Sequence, residues 1–496
     1  MKNKRIISAV LLCALICAAF AACGDSSKPI ETASASTADI VSDETTSAET
    51  GEFDNRKYVD DGIGEYDFGG EEFNIVLSTE QMEEPYYVEG ETGDTIDDAV
   101  YARTVAVEER FNVKLVHHDT GGNWNEVAEA VKKSVLAGDG AYDLAAAHTF
   151  IGLTGLVGSG YLCDWNTLPG VDMSRPWWNS SVRDELAIDD RLYVASSDYI
   201  YQRPIVIYFN KEMISDFSLE NPYELVKNGS WTWDKLKDMA CSVSADLDGD
   251  GEYTENDRYG YLHTLGWQTI SVIHSQGMFM TERDSDGYVN FNSYNTDKMA
   301  AIFQNYYDLV WNGNQTYYLV YDPAQGAKNG YTPMFGAGQV LFLHSNTELL
   351  SDFRDVTLDF GMLPLPKYDE AQDGYYSMAD TQMLCVPSGV ANPEMCGVIA
   401  EALAVESYRT VVPAVYEVTF ANKYLRDEES YDMFTIMREG LVYEFSWTFG
   451  EGNNMIYALP NMMQKKSVDL TSYYAKNAPG AEKTIAKFID NVLALE

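Results

Sequence analysis

Apolar and polar positions divide the chain into two regions of alternating strands and helices, which meet at residues 199–213. Pro204 lacks a backbone donor and biases Arg203 toward an extended conformation. The run 205–209 that follows is apolar and rich in β-branched and aromatic side chains, the composition of a buried strand. The pattern therefore predicts a strand that enters the second region directly after a stiff turn.

Three side chains that can stack or form hydrogen bonds come shortly before this strand: Tyr199, Tyr201 and Gln202. A cleft between two lobes is a common place for a small ligand. We therefore treat these three as candidate ligand-binding residues. The alternative is a core strand flanked by ordinary tyrosines.

The first region predicts a β-α-β-α-β unit. Its strands are expected at 73–78, 113–116 and 142–147, and apolar residues recur at helical spacing after Thr95 and after Trp124. We expect Thr95 to cap the first of these helices. The order predicts a parallel sheet with right-handed crossovers, and ligands bind such sheets beyond the carboxyl ends of the strands.

Two further candidates follow the third of these strands directly. His148 and Phe150 are expected at the ligand-binding edge of the sheet. The alternative for His148 is a loop histidine that makes a structural hydrogen bond.

The second region predicts more elements from apolar runs bounded by turn residues. They are a helix end, turn and strand at 334–347, a strand at 360–366, a second crossing between the regions at 383–386 and a helix at 394–406. Trp231 and Trp233 flank the start of another helix, which Ser230 or Thr232 can cap. We expect both tryptophans to be packing anchors.

Residues 246–257, DLDGDGEYTEND, follow the spacing of an EF-hand calcium loop, with Gly251 where the sharp turn occurs. The predicted oxygen ligands are Asp246, Asp248, Asp250, Glu252 through its carbonyl, and Asp257 in place of the usual final Glu. Carboxylates packed this closely repel one another unless a hard cation lies among them. The loop predicts a structural Ca²⁺ site; the alternative is an acidic turn that is empty or holds magnesium.

The first residues predict a lipoprotein signal peptide over residues 1–22. A basic start precedes the apolar run 6–22, which is too short to span a membrane. The run closes on FAAC, which resembles the lipobox of bacterial lipoproteins, although Phe20 replaces the usual leucine. Cys23 is therefore the candidate lipidation site, where acyl chains such as palmitate would anchor the protein. The alternative is an ordinary signal peptide cleaved elsewhere.

Residues 23–67 predict a flexible tether. They are rich in Ser, Thr, Ala, Asp and Glu and hold no aromatic residue before Phe53, so they cannot bury enough apolar surface to offset chain entropy. The remaining chain is too long for one hydrophobic core and predicts two lobes.

The formal net charge of −43 limits the partners of the protein. It repels nucleic acid and anionic lipid headgroups, and no cluster of Lys and Arg offsets it. Nucleic acid is therefore not an expected partner.

Four cysteines remain once the signal peptide and Cys23 are set aside: Cys163, Cys241, Cys385 and Cys396. None has the CxxC spacing of a zinc site. They could form one disulfide, but the sequence does not choose among the pairings.

Several stretches together resemble one family. They are YDLAAAH at 142–148, LPGVDMSRPWWN at 168–179, YFNK at 208–211, PYELVKNGSWTWDKL at 222–236, DLDGDG at 246–251, FGAGQVLF at 335–342 and DFGMLPLPK at 359–367. With the lipobox, they resemble the extracellular solute-binding lipoproteins of ABC importers, of the carbohydrate-type family 1 that includes maltose-binding and glycerol-phosphate-binding proteins.

The resemblance implies a periplasmic-binding-protein-like α/β fold with two lobes joined by a multi-crossing hinge. Lobe 1 would comprise 68–200 and 381–430, and lobe 2 would comprise 201–380 and 431–496. It also implies capture of a solute by hinge closure and delivery to an ABC permease in the membrane. His148 and Phe150 match the first-lobe binding loop, and Trp267, Asn346 and Trp447 match second-lobe positions that stack on or hydrogen-bond a sugar.

The expected ligand is a sugar or oligosaccharide, because sugar rings pack on aromatic faces and their hydroxyls need paired donors and acceptors. The full candidate set is His148, Phe150, Tyr199, Tyr201, Gln202, Trp267, Asn346, Asp380 and Trp447. The competing classes are a secreted glycoside hydrolase, and a binding protein for a cationic peptide or amine. The chain lacks GxSxG and HExxH motifs. We therefore expect a solute carrier and not an enzyme, without a catalytic cofactor. We also expect the protein to be a monomer.

Overall fold

The computed structural model describes residues 56–79, 86–200, 202–319, 333–353, 356–380, 382–416 and 428–495. The predicted signal peptide, Cys23 and Tyr201 lie outside these ranges.

The first sheet is built from the predicted β-α-β-α-β unit and one returning strand. Its strands are β1 (Glu71–Leu77), β2 (Val113–Asp119), β3 (Leu144–His148) and β12 (Gln382–Cys385), and its order is β12-β3-β1-β2. The pairs β1–β2 and β1–β3 are parallel, which confirms the predicted sheet, and β12 runs antiparallel to β3. With this sheet we group α1 (Thr95–Phe111), α2 (Asn125–Ala137), α3 (Leu153–Gly158), α4 (Ser180–Leu186) and α10 (Pro393–Glu406) as the first lobe.

Burial of apolar residues explains these elements. All five residues of β3 are buried, as expected for a strand between two neighbours with helices on its faces. Helix α1 turns Val100, Val107 and Phe111 inward at helical spacing. Its cap is Asp94, whose side chain accepts a hydrogen bond from the N–H of Ile96, so the prediction of Thr95 was wrong by one residue.

The second sheet has seven strands. They are β4 (Arg203–Asn210), β5 (Tyr259–Thr264), β8 (Thr316–Leu319), β9 (Val340–Asn346), β10 (Phe360–Pro364), β11 (Ser377–Asp380) and β13 (Leu441–Val442). The order is β13-β11-β4-β9-β5-β8, with β10 also paired to β4. Every residue of β4 is buried, which confirms the predicted core strand after Pro204. The short pair β6 (Glu282–Arg283) and β7 (Val289–Asn290) forms a separate hairpin.

The second lobe consists of this sheet and its helices. The helices are α5 (Lys211–Asp216), α6 (Pro222–Lys227), α7 (Trp233–Val243), α8 (Ser271–Ser275), α9 (Asp297–Trp311) and α12 (Glu428–Glu439). Thr232 caps α7, and the indole N–H groups of Trp231 and Trp233 donate to Pro364 O and Ser275 Oγ. Both tryptophans are buried, so their prediction as packing anchors is confirmed.

The chain passes between the two sheets at neighbouring places. The first crossing, residues 196–202, leads from a bridge between Ala195 and Leu384 into β4. The second crossing lies between β11 and β12, whose ladders pair Asp380 with Arg203 and Gln382 with His148. A third connection follows α10 through a π-helical turn (Ser407–Val411) and α11 (Val412–Tyr416), and its residues 417–427 lie outside the described ranges.

Four helices complete the chain: α13 (Phe445–Phe449), α14 (Asn453–Ile456), α15 (Ala458–Gln464) and α16 (Leu470–Leu493). Helix α13 packs on α3 and α4 of the first lobe, and α15 packs on α9 of the second. Among the described residues, no helix combines the length and apolar character needed to cross a membrane. The strand membership of the two sheets follows the predicted division, while the residue limits of the lobes stay a prediction.

The last part of the predicted tether differs from the prediction, because residues 56–67 include a buried anchor. The carboxylate of Asp61 accepts hydrogen bonds from Arg110 at 2.8 Å and Arg409 at 2.9 Å. Burial raises the pKa of Asp61, but these hydrogen bonds and one from the N–H of Ile63 outweigh it and bring the pKa to about 2. The composition of the segment did not reveal that one carboxylate meets two arginines of the first lobe.

The four cysteines of the folded region are all free thiols. The disulfide that the sequence left open is therefore not formed in this structure.

Candidate functional site

Aromatic rings from both lobes meet in a cluster that we call the ring stack: Phe150, Trp267, Trp447 and Tyr457. The Trp447 ring lies 5.1 Å from the ring of Phe150 and 6.0 Å from that of Trp267, nearly parallel to the latter. Tyr457 meets Phe150 and Trp447 edge-on. Phe150 follows β3 of the first sheet and Trp267 follows β5 of the second. Three of the predicted ligand-binding residues are thus brought together.

The backbone around Phe150 holds the stack in place. Phe150 has a φ of 70°, rare for a residue with a side chain, and its N–H donates to Thr448 O at 2.8 Å. Gly450 also has positive φ, and a Cβ there would lie 2.4 Å from Phe150 O. A glycine is therefore required where α13 ends against the loop after β3.

The ring stack contains one indole N–H that is buried, that of Trp447. Only 5% of Trp447 is exposed, and its Nε1 has no hydrogen-bond partner within the described part of the chain. A buried donor without an acceptor is energetically unfavourable, by roughly 1–3 kcal/mol. Trp267 and Phe150 are partly exposed, so the stack also offers ring faces to a ligand.

Glu444 supports the segment that carries Trp447. Its buried carboxylate accepts hydrogen bonds from the N–H groups of Met280 at 2.9 Å and Thr281 at 3.2 Å, and contacts His274 Nε2 at 3.3 Å. The carboxylate thus ties the start of α13 to a loop of the second lobe. Nothing in the local sequence distinguished Glu444 from the other acidic residues, and sequence reasoning missed it.

His148 lies beside Trp124 at the carboxyl end of β3. Their ring centres are 4.4 Å apart, and His148 Nδ1 donates to the carbonyl oxygen of Thr149. This is the structural hydrogen bond that the alternative interpretation expected. Trp124, which the sequence assigned only to a helix face, is partly exposed next to a candidate residue.

Tyr199 and Gln202 lie at the first crossing and make no ring contact or hydrogen bond with the ring stack in the described part of the protein. The Tyr199 ring is buried between Tyr86 and the guanidinium of Arg103, which lies 4.7 Å from its centre. Burial raises the pKa of Tyr199 to about 12.

The amide of Gln202 is satisfied within the protein. Its Nε2 donates to Ser196 Oγ and Ile200 O, and its Oε1 accepts from Tyr443 Oη at 2.7 Å. Gln202 therefore holds the first crossing together, and its amide already has internal partners on both atoms.

The remaining predicted residues have separate surroundings. Asn346 is the last residue of β9. Its side-chain Nδ2 donates a long hydrogen bond to Glu348 Oε2 at 3.4 Å, and its backbone carbonyl oxygen accepts a hydrogen bond from Tyr208 Oη. Asp380 pairs with Arg203 in the ladder of β11 and β4, and its side chain lies outside the description, as does Tyr201. The structure does not bring Asn346 into the ring stack.

The acidic loop 246–257 brings part of its predicted ligand set together. One carboxylate oxygen each of Asp246, Asp248 and Asp250 lies within 4.8 Å of the others. The two carboxylate oxygens of Asp257 instead accept hydrogen bonds from the backbone N–H groups of Leu247 at 2.8 Å and Thr254 at 2.7 Å. Three carboxylates thus converge as a hard cation requires, while Asp257 closes the loop through the backbone.

Several solved structures share the fold of this chain. A sugar transporter from Rhizobium etli in an open conformation has 14% identity and a TM-score of 0.58, and the match covers 86% of this chain and 100% of that one. A cyclo/maltodextrin-binding protein in complex with maltotetraose has 13% identity and a TM-score of 0.54, with coverage of 86% and 97%. The UspC protein of M. tuberculosis has 14% identity and a TM-score of 0.51, with coverage of 83% and 100%. At these identities the likeness concerns the fold, and it confirms the predicted two-lobe, periplasmic-binding-protein-like class.

The sequence itself matches one family model. No curated protein is similar enough in sequence to be matched. The model of the bacterial extracellular solute-binding proteins matches residues 93–404, which is more than half of the chain. This range includes β3 with Phe150, the first crossing, the second crossing between β11 and β12, and Trp267. The chain belongs to the bacterial extracellular solute-binding protein family.

Proposed function

We propose that this protein is the substrate-binding lipoprotein of an ABC importer, which captures a sugar or oligosaccharide between its lobes and delivers it to a membrane permease. The observation that carries the proposal is the ring stack, in which rings from both lobes pack on Trp447, whose buried indole N–H has no partner among the described residues. A sugar ring satisfies both features, since its apolar face packs on aromatic rings and its hydroxyl oxygens accept hydrogen bonds.

The relatives in fold support a sugar as the ligand. The cyclo/maltodextrin-binding protein was solved with maltotetraose, and the Rhizobium etli protein is described as a sugar transporter. The net charge of −43 repels anionic solutes, whereas a neutral sugar experiences no such repulsion. An amine or cationic peptide is the alternative that the charge would favour.

Capture would proceed by closure about the crossings. Phe150 belongs to the first lobe and Trp267 to the second, and Trp447 contacts both rings. A solute that touches rings from both lobes binds the closed form more tightly than the open form, and it shifts the population toward closure by that difference. The permease would recognise the closed form.

Attachment to the membrane is part of the same proposal. Cys23 would carry the acyl chains, and the segment up to about residue 55 would hold the folded body away from the bilayer. The anchored protein would act as a monomer. Metabolic labelling with a palmitate analogue tests this, with Cys23→Ser as the matched variant. Equal labelling of both proteins would contradict it.

We also propose that the loop 246–257 binds structural Ca²⁺ through Asp246, Asp248 and Asp250, with the carbonyl of Glu252 and Asp257 completing the loop. When bound, the ion would offset the mutual repulsion of the carboxylates. Calorimetric titration of Ca²⁺ into protein that a chelator has stripped of metal should detect binding of the ion. The Asp248→Asn substitution should weaken this binding. No binding at millimolar calcium would overturn this part.

The ligand proposal is tested by calorimetry and thermal shift with monosaccharides, maltooligosaccharides, polyamines and a cationic peptide. Binding of a sugar that raises the melting temperature, without cleavage products by chromatography, is the expected result. Cleavage would favour the glycoside hydrolase alternative. Binding of amines and of no sugar would overturn the ligand class while leaving the carrier function.

A further inference from the structure

A cavity lies where α1 meets the first crossing and the third connection. Its interior volume is about 60 Å³, and the space rises to about 700 Å³ when the region open to solvent is included. None of the ring-stack residues lines it. Most of its wall is apolar, formed by side chains of Ile96, Pro204, Val412, Val415, Phe434 and Leu441. It is therefore a space that opens to solvent and whose lining differs from the residues of the ring stack.

The cavity wall also holds polar side chains, among them the predicted ligand-binding residues Tyr199 and Gln202. The buried cation of this wall is Arg103. Only 1% of the residue is exposed, and its guanidinium donates to two neutral oxygens, Ser407 Oγ at 3.3 Å and Tyr86 O. It lies over the ring of Tyr199, and its Nε has no partner in the described part of the chain. Arginine remains protonated in proteins, so a full positive charge is buried here.

No carboxylate of the described residues neutralises that charge. Asp198 is the acidic residue in the described wall of the cavity, and both of its oxygens accept hydrogen bonds from Arg438 Nη2, at 2.6 and 2.7 Å. The chain has 77 acidic residues against 34 basic ones, so a missing partner does not reflect a shortage of carboxylates. A buried charge without a counter-charge is costly, and a ligand that supplies one would recover that cost.

We propose that this cavity binds a small organic carboxylate with an apolar body. The carboxylate would accept hydrogen bonds from the guanidinium of Arg103, a pairing that is stronger than hydrogen bonds between neutral groups. The apolar body would lie against Val412 and Phe434. This site is separate from the sugar site and goes beyond the proposed function, since Arg103 has no role in the ring stack.

The test is calorimetric titration of the purified full-length mature protein with hexanoate, and with hexanamide and hexylammonium as matched neutral and cationic probes. Hexanoate should bind, and the other two should bind at least about tenfold more weakly, because only the carboxylate pairs with a guanidinium. Equal binding of hexanoate and hexanamide, or no binding of hexanoate at millimolar concentration, would overturn the proposal.

Variants locate the binding. Arg103→Met should weaken hexanoate at least about tenfold, while Arg110→Met on the same helix, outside the cavity wall, should leave it unchanged. Val412→Phe fills the apolar end without touching the charge and should also abolish binding, so it decides the matter if Arg103→Met fails to fold. Wild-type affinity in Val412→Phe would contradict the location. Sugar titrations of the same proteins report on the ring stack independently.

Discussion

The ring stack and the first crossing both lie where the lobes meet, and both were predicted to bind ligand, yet the indole N–H at the stack has no hydrogen-bond partner among the described residues while the amide at the crossing is fully bonded. At the ring stack, the indole N–H of Trp447 is buried without a partner in the described structure, and two neighbouring rings are partly exposed. At the crossing, both amide atoms of Gln202 are hydrogen-bonded and Asp198 is paired with Arg438. The buried Oη of Tyr199, in contrast, has no hydrogen-bond partner among the described residues. Aromatic and amide residues near a lobe boundary therefore do not identify a ligand site. Hydrogen-bonding capacity that the protein leaves unused is the better criterion.

The same criterion separates two kinds of site at one lobe boundary. The ring stack combines ring faces with one neutral donor, which suits a sugar. The cavity beside the crossing combines an apolar wall with the charged donor of Arg103, which suits a carboxylate. Substitutions at Trp447 and Gln202 test this contrast, and a substitution at Glu185 tests how a buried carboxyl responds to pH; the expected effects run from the largest to the smallest.

Replacing Trp447 by Ala should weaken binding of the sugar by roughly 2–4 kcal/mol, because the residue joins rings from both lobes. Calorimetry measures the change in Kd. Tyr318→Ala removes an exposed aromatic side chain away from the stack and serves as the control. Unchanged affinity in Trp447→Ala would place the sugar site elsewhere.

Replacing Gln202 by Ala should lower the free energy of unfolding by roughly 1–3 kcal/mol, because Tyr443 Oη and Ser196 Oγ each lose a partner inside the protein. The sugar affinity should stay within about twofold, since the amide does not contact the ring stack. Urea denaturation and calorimetry read the two quantities separately. A large loss of affinity with unchanged stability would reverse the contrast between the two regions.

Replacing Glu185 by Gln should stabilise the protein at pH 8 by roughly 1 kcal/mol and have little effect at pH 4. Burial, and then the nearby carboxylate of Glu444, raise the pKa of Glu185 to about 7, and Arg283 only partly opposes them. The folded state thus favours the protonated acid, and the stability this contributes is full below the ordinary pKa of 4.5 and is lost as the pH rises through 7. Urea denaturation at both pH values measures this.

The control for that experiment is Glu109→Gln on α1, whose side chain is exposed. It should change stability little at either pH. Destabilisation by Glu185→Gln at pH 8 would mean that the charged carboxylate is held by favourable contacts after all.

Replacing Trp447 by Phe should weaken sugar binding by about 1 kcal/mol, because the ring stays and only the donor is lost. Comparison with Trp447→Ala then divides the binding between stacking and the hydrogen bond. An affinity equal to that of the wild type would mean that the sugar does not use the indole N–H.

Local patterns predicted most of the fold. The apolar runs that became β1, β3, β4 and β12 were recognised from composition and spacing, because a buried strand must be apolar along its length. The cap of α7 at Thr232 was one of the two residues predicted, Ser230 or Thr232, since capping depends on a few consecutive residues. Where a prediction failed, at Asp94 and in residues 56–67, a side chain took a partner that the local pattern did not specify.

The candidate site was predicted only in part, for a related reason. The family resemblance selected Phe150, Trp267 and Trp447, which the structure brings together. It could not indicate Tyr457 or Glu444, which lie in the C-terminal part where the resemblance is weakest. Nor could the resemblance show that Gln202 is a structural residue and not part of the ring stack. The hydrogen bond that reveals this joins Gln202 to Tyr443, 241 positions further along the chain.

By itself, the sequence determined the elements, their order, the two-lobe class and the limits that a net charge of −43 sets on partners. Only the tertiary structure decided which polar groups are left without partners. Secondary structure follows from neighbours a few positions apart, whereas satisfaction of a buried group depends on residues hundreds of positions away. Thus Trp447, Gln202 and Arg103 differ in role although each is a buried or half-buried polar side chain.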